Sequence, residues 1–252
     1  MARLAVSWRR AALPLACAAS ALAGALAVLP ANWLLGWLPA SGPVALAAAD
    51  GTIWRGSAWI ALGPPGARRL LPQPVQWQWR WSPLDLVVTH PWLQGPLRLR
   101  PAWGGLGLSA QSLRAPASVL AGLGAPWNTL APQGMLELRW QALEWGGRLP
   151  AGPLAELRWR DAATALAAVN PVGSYTLRVQ GDGKSGVSLT LGTDAGLLDV
   201  SGQGSAGPQG LRFNGQATFA AKAGETERAA LDGLLSMLGR RSADVVTFGT
   251  GG

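Results

Sequence analysis

The segment Val75-Gln-Trp-Gln-Trp-Arg-Trp81 alternates apolar and polar residues without a break. In an extended chain successive side chains point to opposite faces, so Val75, Trp77, Trp79 and Trp81 share one face and Gln76, Gln78 and Arg80 the other. A helical period would not segregate them, so the segment reads as a half-buried strand. The pattern recurs. Residues 135–145 place Leu136, Leu138 and Trp140 on one side, and 155–160, 175–180, 187–191 and 211–219 behave alike. Less regular candidates lie at 52–62, 96–100, 106–113 and 197–201. Gly181-Asp-Gly183 and Asp194-Ala-Gly196 are hairpin signals between them. The links are too short for helical crossovers, so neighbouring strands should pair antiparallel. The expected fold class is mainly β: a mostly antiparallel, elongated and curved sheet with two or three short helices. The helices are expected at 117–123, 162–169 and 225–239. The last has acids in its first turn, a stripe of Leu231, Leu234, Leu235 and Leu238, and Arg240-Arg241 at its end. Residues 116–132 are the expected boundary between two lobes.

The N-terminus has a different pattern. Residues 11–29 contain no charge, and at ~1.5 Å per residue a helix of that length spans roughly 28 Å, close to the hydrocarbon thickness of a bilayer. Arg3, Arg9 and Arg10 precede it, and the first acid is Asp50. The positive-inside rule keeps those arginines in the cytoplasm and exports the chain beyond residue 30. Trp33 and Trp37 lie just past the apolar run, where indoles suit the headgroup region. The expected organisation is a basic cytoplasmic stub (1–10), a transmembrane anchor (11–30), a juxtamembrane linker (31–49) and a periplasmic β-rich domain (50–252). A cleaved signal peptide is the competing reading, with Ala-x-Ala sites at Ala25–Ala27 and Ala47–Ala49. Both readings export the body of the chain. Its one cysteine, Cys17, lies in the apolar run. The exported part therefore has no thiol to mispair in an oxidising compartment.

Composition narrows the chemistry. One Cys and one His exclude a Cys-rich zinc site, a disulfide framework and any pair of histidines. The net charge of +8 comes from scattered arginines and not from a stripe, which argues against nucleic acid. Gly183-Lys-Ser185 lacks the first glycine of a phosphate loop and joins two strands, so it reads as a hairpin turn. Gly202-Gln-Gly-Ser-Ala-Gly207 spells the dinucleotide fingerprint, but Pro208 and a strand come after it in place of a helix. It reads as a Gly-rich loop. His90 sits before Pro91 at a turn and reads as a surface or capping residue. Glu137 and Glu144 would fall on opposite faces of one regular strand. No cofactor, metal site or catalytic residue is expected, and the chain does not read as an enzyme.

Fourteen tryptophans are abnormal for 252 residues. Most should pack in the core, since each indole buries a large area. Trp77, Trp79 and Trp81 together exceed what an ordinary small core accepts, and a partly exposed aromatic surface is the sharper reading.

An Arg-capped apolar leader, then Gly51-Thr-Ile-Trp-Arg-Gly56, then short strands, resembles the type II secretion system protein N (GspN) family. Gln133-Gly-Met-Leu-Glu-Leu-Arg-Trp140, Asn170-Pro-Val-Gly-Ser-Tyr175, Gly196-Leu-Leu-Asp-Val-Ser-Gly202 and Gly210-Leu-Arg-Phe-Asn-Gly-Gln-Ala217 continue the likeness in order. The resemblance implies a single-pass inner-membrane protein with a periplasmic domain. Its partners would be other inner-membrane and periplasmic secretion components, and its work the export of folded proteins across the outer membrane. The family offers no catalytic residues to carry over. The candidate interaction or structural residues are Gly51, Thr52, Trp54, Gly56, Trp77, Trp79 and Trp81, with Gly51 and Gly56 expected to bracket a strand that Trp54 and Trp59 straddle. The Gly-rich β pattern also looks like the curved sheets of envelope proteins of the AsmA group. This supplies the alternative, a lipid-handling protein with an apolar groove lined by Trp79, Trp140 and Trp159.

Overall fold

A computed structural model of the chain describes residues 3–36, 41–102, 105–145, 148–242 and 245–250. Helix α1 (Arg3–Ala27) carries Pro14 within it. Its described side chains, from residue 14 on, are exposed as far as Val28. Those of the basic stub, Arg3, Arg9 and Arg10, lie outside the described residues, as do Trp37 and the side chains of Arg240 and Arg241. Among the described residues no helix is long and apolar enough to cross a membrane. The uncharged run itself begins at residue 11, ahead of the described side chains.

A short 3-10 helix, Ala31–Gly36, leads into the strands. These are β1 (Val44–Gly51), β2 (Arg55–Leu62), β3 (Arg69–Leu70), β4 (Val75–Trp81), β5 (Leu84–Thr89), β6 (Leu97–Ala102) and β7 (Gly105–Leu108). Next come β8 (Gln111–Pro116), a 3-10 helix (Ala117–Leu123), the single-turn α2 (Trp127–Leu130), β9 (Gln133–Trp140) and β10 (Leu143–Trp145). The long strands are β11 (Ala151–Ala163), β12 (Gly173–Asp182), β13 (Val187–Gly196), β14 (Leu198–Gly207) and β15 (Gly210–Phe219). Helix α3 (Glu225–Leu238), β16 (Arg240–Ser242) and β17 (Val245–Thr250) close the chain.

Two open sheets result. The first runs β1-β2-β4-β5-β6-β7-β10, with β3 on β2; the second runs β16-β17-β15-β14-β13-β12-β11-β9-β8. Among the described residues every ladder is antiparallel, as short connections require. The two sheets share one bent ribbon. β7 and β8 are a single path broken at Ser109-Ala110, and β9 and β10 a single path broken at Gln141-Ala142. One half of each path pairs in the first sheet and the other half in the second, through Leu108↔Leu143 and Gln111↔Trp140. The indole of Trp140 donates to Ser109 O at 3.1 Å across the bend. The outer edge of β8 is tied back to the first sheet, where Arg114 N donates to Trp92 O at 2.7 Å and Gln94 N to Ser112 O at 2.9 Å.

The ribbon corrects one expectation. Residues 106–113 and 135–145 are each two strands, so Glu137 and Glu144 lie in different sheets. The chain passes from the first sheet to the second at residues 109–110 and back with β10, and the 116–132 stretch carries two short helices between β8 and β9. Residues 31–49, expected as a linker, hold a 3-10 helix and most of β1.

Burial tracks the alternation. On the second sheet the apolar face meets α3, where Leu231, Leu234 and Leu235 pack with Leu198, Ala217 and Val246. The opposite face is laced by ion pairs. Glu137, buried on β9, reaches Arg114 and Arg160 at 3.2 Å each, and Glu156 meets Arg158 and Arg178 at 2.8 and 3.4 Å. On the first sheet Ala31 of the 3-10 helix packs with Ala49, Ala58, Leu35, Leu46 and Trp77.

Two further segments differ from their sequence-based assignment. The Ala-rich run 162–169 is not helical. β11 continues through Ala163, and Asn170 then ties the turn, accepting from Thr164 N at 3.1 Å and donating to Thr164 O and Ala167 O at 3.3 and 3.2 Å. Such side-chain bonds offer the backbone an alternative to the helix. The stretch Gly202–Gly207 is not a loop but part of β14. A Cβ on Gly202 or Gly204 would stand 2.6 or 2.7 Å from the Phe213 ring, so the glycines let that ring lie flat on the adjacent strand. Leu231 is completely buried. Leu231→Ala should therefore cost about 2–5 kcal/mol, read as a lower urea midpoint for the second sheet's tryptophan fluorescence.

Candidate functional site

The signature residues 51–56 form the turn that joins β1 to β2. Gly51 and Gly56 are cross-strand partners that close it, so they bracket a turn and not a strand. Gly51 has φ +86°, a left-handed conformation that favours glycine. Thr52 N donates to Arg55 O at 2.9 Å, and its hydroxyl accepts from Arg55 N at 3.2 Å. Gly56 leaves room for the indole of Trp77, since a Cβ there would stand 2.7 Å from Trp77 Cζ2 and 2.4 Å from Asp50 O. That indole donates to Ile53 O at 3.0 Å, across the turn.

The turn also holds the end of α1. Trp54 Nε1 donates to Leu26 O at 2.7 Å. Ile53 N donates to Leu29 O at 3.0 Å, and Pro30 forms an isolated bridge with Thr52. The Leu26 carbonyl also accepts from Leu29 N at 3.3 Å, so the turn adds a second donor to the helix end. Trp79 N donates to Trp54 O at 2.8 Å, which keys β4 to the same turn. The ring of Trp54 packs against that of Trp81 at 5.2 Å, inclined by 46°. Thus the structure brings Gly51, Thr52, Trp54, Gly56, Trp77, Trp79 and Trp81 into one cluster. Trp77, Trp79 and Trp81 share a face as the alternation requires, but only Trp77 and Trp79 are half-buried. Trp81, next to the hairpin tip, is 68% exposed.

A second feature lies on the apolar face of the second sheet. A cavity of about 350 Å³ is walled by Leu136, Leu157, Trp159, Leu177, Leu191 and Val200 from the strands, and by Leu120, Trp127, Leu130 and Leu234 from the helices. Its polar atoms are spoken for. The Thr164 hydroxyl donates to Leu130 O, and the Tyr175 hydroxyl to Leu198 O at 3.5 Å. Burial, with Asp199 nearby, pushes the Tyr175 hydroxyl well above the usual tyrosine range. Sequence patterning gives no sign of this cavity, because strands far apart in the chain wall it. Of the three tryptophans expected in a groove, only Trp159 lines it. Trp79 belongs to the first sheet and Trp140 to the bend.

The remaining candidates occupy structural positions. His90 Nδ1 accepts from Trp92 N at 3.2 Å and its Nε2 lies 3.3 Å from Gln73 O, so the ring ties a turn. Asp182 accepts from Lys184 N at 2.7 Å and Gly186 N at 3.1 Å, which makes Gly183-Lys-Ser185 the hairpin turn expected. Among the described residues no group of three or more His, Cys, Asp and Glu converges.

An open-sheet antiparallel β protein of this kind, with its signature turn gripping a leading helix, defines a class before it defines a family. The family described as Type II secretion system (T2SS), protein N matches residues 42–247, most of the chain. The protein belongs to that family and is a type II secretion system component. No curated protein and no solved structure matched it.

The geometry sets two measurable outcomes. Gly56→Ala should destabilise the first sheet by about 1–3 kcal/mol, as overpacking does, measured by thermal unfolding. For Tyr175 the folded pKa exceeds the unfolded value near 10, so its contribution is full below about pH 10 and is lost as pH rises through the folded value. Stability should fall in alkali, and Tyr175→Phe should lessen that fall. Because Tyr175 is the only tyrosine, tyrosinate absorbance reports its ionisation directly.

Proposed function

We propose that this protein is a non-catalytic component of type II secretion, anchored in the inner membrane with its N-terminus in the cytoplasm and its β-rich body in the periplasm. There it contributes to the export of folded proteins across the outer membrane through contacts with other secretion components. The family match over residues 42–247 carries the reading. The anchor is supported by the uncharged run 11–29 and by the exposure of α1. From residue 14 to 28 its only polar side chain is Ser20, and every residue is exposed. A helix apolar all round calls for an apolar surrounding. Docking by strand addition is supported by β1, an edge strand of the first sheet whose sequence Val-Ala-Leu-Ala-Ala-Ala-Asp-Gly holds one charge and no proline. Such an edge is poorly guarded against pairing.

Deletion of the gene should leave exported enzymes folded but held in the periplasm, with restoration by the full chain. Normal secretion in the deletion strain would reject the reading. A second reading, envelope lipid handling, is favoured by the apolar cavity. It expects lipid to copurify with the protein and Leu177→Trp, which fills the cavity, to exclude it. Its genetic mark is disturbed lipid asymmetry without a secretion defect.

A further inference from the structure

The tip of the β4–β5 hairpin reads Trp81-Ser-Pro-Leu84 and holds no charge. Trp81 and Leu84 face each other across it, and they are 68% and 45% exposed. The nearest charges lie one residue back, where Arg80 stands over the buried Asp85 at 3.8 Å. Single exposed apolar residues need no explanation. This pair differs because of what it touches. Trp81 packs on Trp54, and Trp54 is hydrogen-bonded to the last turn of α1. The exposed apolar residues Leu22 and Leu26 of α1 and Val28 just past it are thus linked through the half-buried Trp54 to Trp81 and Leu84.

The same bond sets a depth. Helix α1 ends at Ala27, and the carbonyl that Trp54 meets is that of Leu26, in its last turn. If α1 spans a bilayer, the indole of Trp54 lies level with the last turn of the helix, where it emerges. Trp81, packed on it, lies close to that level. The Leu26 carbonyl accepts from Leu29 N at 3.3 Å, and the Trp54 N–H adds a second donor to it. An indole is suited to this boundary, with an apolar body and one N–H.

We propose that Trp81 and Leu84, backed by Trp54, form a second membrane contact, seated in the boundary between phospholipid headgroups and acyl chains on the side where α1 emerges. The first sheet would then be held to the bilayer at two points, which fixes its tilt as a single helix cannot. This inference rests on the reading of α1 as an anchor.

The test separates the two. The full chain is placed in nanodiscs of phosphatidylethanolamine and phosphatidylglycerol, with nitroxide-labelled lipids as quenchers. The fluorophore NBD is attached at Cys17, the native and only cysteine, or at Leu84→Cys or Lys222→Cys in a Cys17→Ser background. Lys222 is exposed and lies beyond the second sheet's last long strand. The proposal expects a blue-shifted Leu84→Cys label that loses most of its emission to nitroxides near the headgroup. It expects Cys17 to be quenched most by deep nitroxides and Lys222→Cys to keep its emission. Quenching at Cys17 with none at Leu84→Cys would overturn the hairpin contact and leave the anchor standing. No quenching at either position would reject both. Quenching at Leu84→Cys alone would reject the anchor, and with it the proposal of a second contact beside α1. Equal quenching at Lys222→Cys would show that the lipid contact is unspecific and would also overturn the proposal. Leu84 is exposed, so its replacement does not disturb a core.

Discussion

An open antiparallel sheet has one apolar face to cover and two edges to guard, and nothing in the sheet itself does either. That constraint organises this molecule. The second sheet covers its face with α3, whose Leu231, Leu234 and Leu235 pack on Leu198, Ala217 and Val246. The cover is incomplete, and the gap beside it is the apolar cavity. The first sheet has no comparable helix among the described residues. It uses a 3-10 turn, three alanines and the broad faces of tryptophans. A large indole offsets in area what a short helix cannot provide.

The signature turn is where the two parts of the chain are joined mechanically. Its glycines matter for space and conformation: Gly51 adopts a left-handed φ, and Gly56 stands under Trp77. Its tryptophan matters for one bond, to the end of α1. A turn built in this way transmits orientation, because the helix terminus, β2 and β4 are all hydrogen-bonded to it. On the proposed reading of α1 as an anchor, such a turn would hold the sheet in a fixed orientation to it. The bent ribbon β7–β8 with β9–β10 has a similar role between the sheets, since the same two strand paths serve both.

Much of the fold is legible in the sequence, and the failures have separate causes. Period-two alternation locates most of the long strands, but not β1, β5 or β17, and short connections make neighbours antiparallel. The stripe of Leu231, Leu234 and Leu235 locates α3. One error falls where a local pattern is continuous but the partner strands are not. Residues 135–145 alternate throughout, yet the path changes sheets at Gln141-Ala142. Gly202–Gly207 resembles a loop because its glycines have no side chain to alternate, while the Phe213 ring covers them from the next strand. The Ala-rich run 162–169 has helical propensity, but Asn170 captures its backbone.

By itself the sequence determined what each residue's own neighbours decide: strand or helix, which face is apolar, which segment carries no charge, and that the chemistry of paired histidines or cysteines is absent. Only the tertiary structure decided which distant residues meet. It brought Trp54 to Leu26 and Trp81, it walled a cavity with Trp159 but without Trp79 or Trp140, and it divided the strands between two sheets. The physical reason is range. Alternation and propensity act over a few residues of chain, whereas an indole on a helix carbonyl or a cavity between strands is set by packing across the whole fold.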